Sequence, residues 1–349
     1  MSKISTIAAM IDSYTNTAIK NYVKSHDEST YFPKEIWDEL TNEMDIFLPI
    51  LSEENHTLSS DFITFIRKIA NEFAALSAIL LTQGCYGIYS ILNFGTAEQK
   101  ELYLEKLLKG QYMAGLGFCE YKHLKGLEDL ETYATKTEQG WCLSGKKAMI
   151  SNSSVADILL VLAKVKEQGK VEKYGLFIVD PKDSDVLIGE QIEKPGLIGL
   201  PLSSVTLKNV LLPENALLGD ELAGDVQFAN IIKNMQLGLS AIALGVAEGA
   251  FNKGIEFAKV KRGFGKRLID VEIHQNKFAD LYNKLCSAEA YFDSYPSQIE
   301  EDAKFVSRIK LYTTKVAIEI SDEILRLIGP LQKFDKVNIK RYLKDAETI

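Results

Sequence analysis

The spacing of apolar residues changes character twice along the chain, and this limits the possible folds more than any other feature. Up to about residue 110 the spacing is helical: Phe62, Phe65, Ile66, Ile69, Phe73 and Leu76 recur three and four positions apart. Thr96, with Gln99 three residues later, has the pattern of a capping box. The helix it opens, through Leu102, Tyr103, Leu107 and Leu108, stops at Gly110. From about Met113 to Leu218 the signal is strand-like. Residues 132–137 and 141–144, joined by Glu138-Gln139-Gly140, read as a hairpin; 158–163 is an apolar run suited to a buried strand, and 173–179 and 204–210 suggest two more. After Asp220 helical patterning returns in long pieces, about 226–259, 271–291 and 303–327, which predict a bundle. The chain therefore reads as α+β. An N-terminal helical domain (1–112) is followed by a small β-barrel or sandwich (113–220) and a C-terminal helical bundle (221–349).

A chain of 349 residues is long enough for two or three packed units. With 46% apolar and 25% charged residues it has the composition of a soluble globular protein, and a net charge of -8 argues against a nucleic-acid binder. The start, Met1-Ser2-Lys3-Ile4-Ser5, lacks the features of a signal peptide. The apolar stretch from about Leu237 to Ala247 is too short for a membrane span, so a cytoplasmic protein with no membrane partner is expected. Cys85, Cys119, Cys142 and Cys286 show no CxxC spacing, and the histidines form no HExxH cluster, so no metal site is expected.

Several short segments, in order, carry a family likeness. They are Phe94-Gly95-Thr96-Ala97-Glu98-Gln99-Lys100, Gly117-Phe118-Cys119-Glu120, Gly145-Lys146-Lys147-Ala148-Met149-Ile150-Ser151-Asn152, Leu218-Gly219, Gly263-Phe264-Gly265-Lys266, and Arg341-Tyr342-Leu343-Lys344-Asp345-Ala346. This series resembles the acyl-CoA dehydrogenase family of flavoproteins. The resemblance implies an N-terminal helical domain, a middle β-barrel domain and a C-terminal four-helix bundle. It also implies FAD as cofactor, an acyl thioester on CoA or an acyl-carrier protein as substrate, and a homodimer or homotetramer, or pairing with a related subunit.

The resemblance also implies site residues. Phe118 and Cys119 fall on the strand beside the flavin, with Cys119 in a Thr position, and Glu120 retains the family's acid on the substrate side. An ungapped match puts Leu124-Lys125-Gly126 where the family has Gly-Ser-Asp; Lys125 reads either as a grip on a phosphate or carboxylate or as part of a drifted loop. Met149 stands where the family packs a Trp on the isoalloxazine, and a thioether can pack on an aromatic ring; from the residues alone it reads as core. Ser151 keeps a hydroxyl. Lys259 to Arg267 holds five basic residues in nine, which reads as a phosphate site or as a solvated turn. In it Lys261, next to Arg262, takes the place of a phosphate-binding Arg three positions before Phe264. Glu272 replaces a Gln on the adenosine side, and Pro330 replaces a Gly where backbone approaches a neighbouring subunit's cofactor.

No family-matched base is present. The chain stops at Ile349 before the usual Glu, and the helix-borne alternative falls on Asn234-Met235-Gln236, without an acid. The catalytic residue is therefore unassigned. Three readings stay open: α,β-dehydrogenation with a displaced base, a catalytically degenerate partner subunit, and redox-neutral thioester chemistry in the same cleft. Apolar positions such as Ile242, Leu244 and Val246 suggest a bundle face left over for a second copy.

Overall fold

The protein is described by a computed structural model that covers residues 3–26, 30–52, 57–122, 126–165, 173–261, 267–295, 303–329 and 338–349. The N-terminal part holds α1 (Lys3–Tyr14), α2 (Lys20–His26), α3 (Lys34–Asp38), α4 (Ser60–Thr82), α5 (Ser90–Phe94) and α6 (Ala97–Leu108). The helical periodicity around residue 66 becomes the buried face of α4, with Phe62, Phe65, Ile66 and Ile69 inside. The capping box is formed: Gln99 N donates to Thr96 Oγ1 (3.2 Å) and Thr96 N to Gln99 Oε1 (3.0 Å).

α4 is interrupted at Phe73 (φ -147°, ψ 84°). A break inside a helix frees carbonyls that must find donors. Here the C-terminal helix α10 (Ile339–Thr348) supplies them: Arg341 Nη2 reaches Glu72 O (2.8 Å) and Tyr342 Oη reaches Asn71 O (2.9 Å).

The middle part is one seven-stranded sheet. Its strands are β1 (Ala114–Gly117), β2 (Tyr133–Thr137), β3 (Gly140–Ser151), β4 (Ile158–Val165), β5 (Lys173–Val179), β6 (Val186–Gln191) and β7 (Leu202–Leu212). The order is β1-β4-β2-β3-β7-β6, with β5 on the other edge of β4. Among the described residues β5 and β6 remain edges, so the expected β-domain is a half-barrel, not a closed barrel. The hairpin of β2 and β3 and strands β4, β5 and β7 lie where the patterning put them; β6 was not foreseen. The side chain of Gln83 joins the helical part to the sheet. Its Nε2 donates to Leu107 O (2.9 Å) and Tyr112 O (2.8 Å), and its Oε1 accepts from Ala114 N (2.9 Å).

The C-terminal part holds α7 (Gly224–Lys259), α8 (Glu272–Asp293), α9 (Ala303–Ile328) and α10. Glycines let α4 and α7 approach backbone to backbone. A Cβ at Gly245 would lie 2.2 Å from Arg67 O, and one at Gly249 2.2 Å from Asn71 O. One apolar core runs through all three parts; a second, around Trp141, Phe177 and Val205, lies on the other face of the sheet. Ile242, Leu244 and Val246 are fully buried within the single chain. They form this core and are not themselves open to a second copy, which removes the argument for assembly drawn from these three residues.

Candidate functional site

A cleft of about 430 Å³ opens where the sheet meets α7. Its walls are Phe118 and Cys119 from the segment after β1, Leu127 and Leu130 from the approach to β2, Met149 from β3, Leu162 from β4 and Phe228 from α7. Phe118 packs against Phe228 with ring centroids 5.1 Å apart. The lining is mostly apolar, with Cys119, Glu120 and Lys122 as its polar members.

Met149 reaches the cleft through a backbone irregularity. Lys147 pairs with Val205 and Ile150 with Ser203, so three steps along β3 oppose two along β7. The extra residue is a β-bulge, which breaks alternation and re-aims side chains. Lys147 and Ile150 both point inward, while Met149 is left 49% exposed. Ala148 N donates to Cys119 O (2.8 Å), which fixes the bulge to the facing wall.

Glu120 lies beside the cleft with its carboxylate already engaged. Its oxygens accept from Glu131 N (2.7 Å), Thr132 N (3.0 Å) and Lys147 Nζ (2.8 Å). The side chains of Lys147 and Glu120 are 0% and 2% exposed. Burial pushes the Glu120 carboxyl up, but the Lys147 charge and these hydrogen bonds outweigh it and hold the group below its usual range. Burial likewise lowers Lys147 to about 8, against the opposing pull of Glu120 and Cys119. Both shifts leave the pair ionised at neutral pH. Burial raises the Cys119 thiol, with Lys147 acting in the opposite direction, so the thiol keeps its proton.

The structure thus brings Phe118, Cys119, Glu120 and Met149 together in the cleft lining, with the Glu120 carboxylate tied into an ion pair. Ser151, at the end of β3 opposite Leu202, is half-buried and is not among the cleft-lining residues. Lys261 and Glu272 are exposed at the end of α7 and the start of α8, away from the cleft lining. Asp270 lies within the field of Lys261 and is held by Arg267 through two side-chain bonds (2.9 and 2.6 Å), so one carboxylate answers the described basic residues on either side of the turn. Lys125, Arg262, Phe264 and Pro330 lie outside the described residues. Asn234, at the helix-borne base position, is buried and accepts from Leu58 N (2.8 Å). Lys147 and Phe228 were not foreseen. A lysine in an otherwise inward-facing strand register was the available signal for the first; nothing in the local pattern marked the second.

The cleft fits the ring end of a flavin: apolar walls enclose an exposed thioether, and a neutral thiol stands at one edge. The acyl-CoA dehydrogenase N-terminal, middle and C-terminal domain families match residues 3–111, 115–210 and 226–349. The chain belongs to the acyl-CoA dehydrogenase family. Among curated members of that family, the 3-(aryl)acrylate reductase of Clostridium sporogenes is 25% identical over 93% of this chain and 87% of its own length. The caffeyl-CoA reductase-Etf complex subunit CarC of Acetobacterium woodii is 26% identical over 92% of this chain and 86% of its own. Butyryl-CoA dehydrogenase from Megasphaera elsdenii shares the fold with a TM-score of 0.89 and 22% identity, covering 100% of this chain and 93% of that one. The structure of PigA with FAD and proline aligns with a TM-score of 0.86 and 20% identity, over 99% of this chain and 92% of that one.

Proposed function

We propose that this acyl-CoA dehydrogenase family member is an FAD flavoprotein acting on an acyl thioester carried by CoA or an acyl-carrier protein. The observation that supports it most is Met149, an apolar side chain held 49% exposed by a bulge at the floor of an apolar cleft. Exposed apolar surface inside a concave site is the usual mark of a ligand face. FAD, when bound, supplies hydride transfer with the substrate. The chain's own residues orient the ring and exclude water. Met149 would offer the ring a polarizable apolar contact, and Phe118, Phe228, Leu127, Leu130 and Leu162 would line the site with apolar surface. Cys119 holds its proton at Sγ and would offer a neutral hydrogen-bond donor to the bound group.

Glu120 favours a second reading. Among the described lining residues it is the only carboxylate, and its oxygens already meet three donors. An α-proton has no free acceptor there, as in a partner subunit that binds flavin or thioester without dehydrogenating it. The test is the visible absorption spectrum of the purified protein, release of FAD on denaturation, and turnover of acyl-CoA and acyl-carrier substrates with an artificial electron acceptor. Stoichiometric FAD with turnover supports the enzyme. FAD without turnover supports the partner subunit. A colourless protein that takes up no added FAD overturns the flavin reading.

A further inference from the structure

We propose that Glu120 is a positioning residue whose carboxylate couples the two walls of the cleft, Phe118 and Cys119 on one side and Leu127 and Leu130 on the other, and so sets the width of the slot. The proposal rests on the flavoprotein reading only for its choice of FAD as probe.

The walls come from segments with no ladder between them. β1 leaves β4 at Gly117↔Val161, and β2 joins the same edge of β4 at Tyr133↔Lys164. Leu162 lies in the gap between these pairings, and it lines the cleft. Among the described residues no backbone hydrogen bond joins 118–120 to 126–132. The Glu120 carboxylate stands in for the missing rung by accepting Glu131 N (2.7 Å) and Thr132 N (3.0 Å). On its other side Thr132 O accepts from Lys164 N (3.0 Å), so the second wall is fixed to β4 just beyond the gap. Lys147 Nζ holds the carboxylate from β3 at 2.8 Å, one residue before the bulge that presents Met149. Its stem needs the space left by a glycine: a Cβ at Gly117 would lie 3.1 Å from Lys147 Cγ and 2.8 Å from Ile150 Cδ1. One carboxylate therefore locks three strands around the slot. An ion pair placed only for stability would have no reason to bridge a gap in the sheet at the cleft wall.

The test uses E120A/K147M, which removes the acceptor and the buried cation together, and E120Q/K147M, whose amide oxygen can still accept one of the two N–H groups. Amide hydrogen exchange and titration with free FAD are measured on each, alongside thermal unfolding. In E120A/K147M the Glu131 and Thr132 amides are expected to exchange about tenfold faster, the loss of one charge-assisted hydrogen bond. Exchange in β5 should stay unchanged, and FAD affinity should fall about tenfold. E120Q/K147M should recover part of both. A folded E120A/K147M with wild-type exchange overturns the proposal, as does faster exchange with unchanged FAD affinity. If E120A/K147M does not fold, E120Q/K147M carries the test, with wild-type exchange at both amides as the refuting result. If the wild type itself takes up no FAD, faster exchange upholds the coupling while the flavin reading falls.

Discussion

Removing the Glu120 carboxylate alone would leave the Lys147 ammonium charged and buried without its partner. Breaking a buried pair in this way costs about 3–5 kcal/mol, so E120A should lower the unfolding free energy by that order in urea titration. The pH dependence follows from the two shifts. Glu120 is held below the usual carboxylate value; its contribution is present above that usual value and is lost as pH falls through the depressed one. Lys147, also held below its ordinary value, has the same sign at higher pH. Between about 8 and its ordinary 10.5 the unfolded chain holds a proton that the folded chain has released. The Lys147 contribution to stability should therefore rise with pH across that window, read as the change in the urea-midpoint difference between wild type and K147M taken at its two ends. The family likeness placed Glu120 beside the site, but its partner was hidden. Lys147 is 27 positions away, and the bulge that sets the inward register after it leaves no mark in the alternation.

Among the elements, α8 and α9 were legible because burial on one face imposes a 3.6-residue period over many turns, whereas α7, buried all round from Ser240 to Ala247, showed as a long apolar run. β6 was not, because its residues after Val186 are mostly exposed and include Gly189, Glu190 and Gln191. β1 is only four residues long, two of them glycine, too few for a period to show. Contacts between helices were also invisible in the sequence. The glycines of α7 read as weak helix formers, yet they permit the approach of α4. G245A would put a methyl group 2.2 Å from the Arg67 carbonyl, and backbone cannot yield cheaply. A loss of about 1–3 kcal/mol is expected from overpacking. G254A should cost less, because its methyl would meet the Ile324 side chain at 2.6 Å, which can change rotamer. Chemical denaturation of the two variants side by side checks the order.

For the molecule as a whole, the continuous core predicts joint unfolding of its three parts. Ser60–Phe94 is long and apolar enough to cross a membrane by composition alone, but 94% of its most apolar window is buried inside the fold. That surface is covered in large part by α7, so the helical parts cannot separate without exposing it. Calorimetry should show one transition with matching calorimetric and van't Hoff enthalpies; separate transitions for the sheet and the bundle would contradict this. The three-part order was legible because each change of periodicity is long. The cleft was not, because its walls come from sites more than a hundred residues apart, Phe118 and Phe228, that only the folded chain brings together.

The bulge in β3 has a last consequence. Backbone geometry, and not the chemistry of methionine, points residue 149 outward, so the position works as a socket into which different side chains can be fitted while the sheet stays as it is. M149W should leave the thermal midpoint within about 2 °C, in line with the small effects of surface substitutions; if the proposed flavin is bound, its absorption spectrum should change. The frame can therefore exchange the side chain that faces the cleft by a single codon, with folding left out of the exchange.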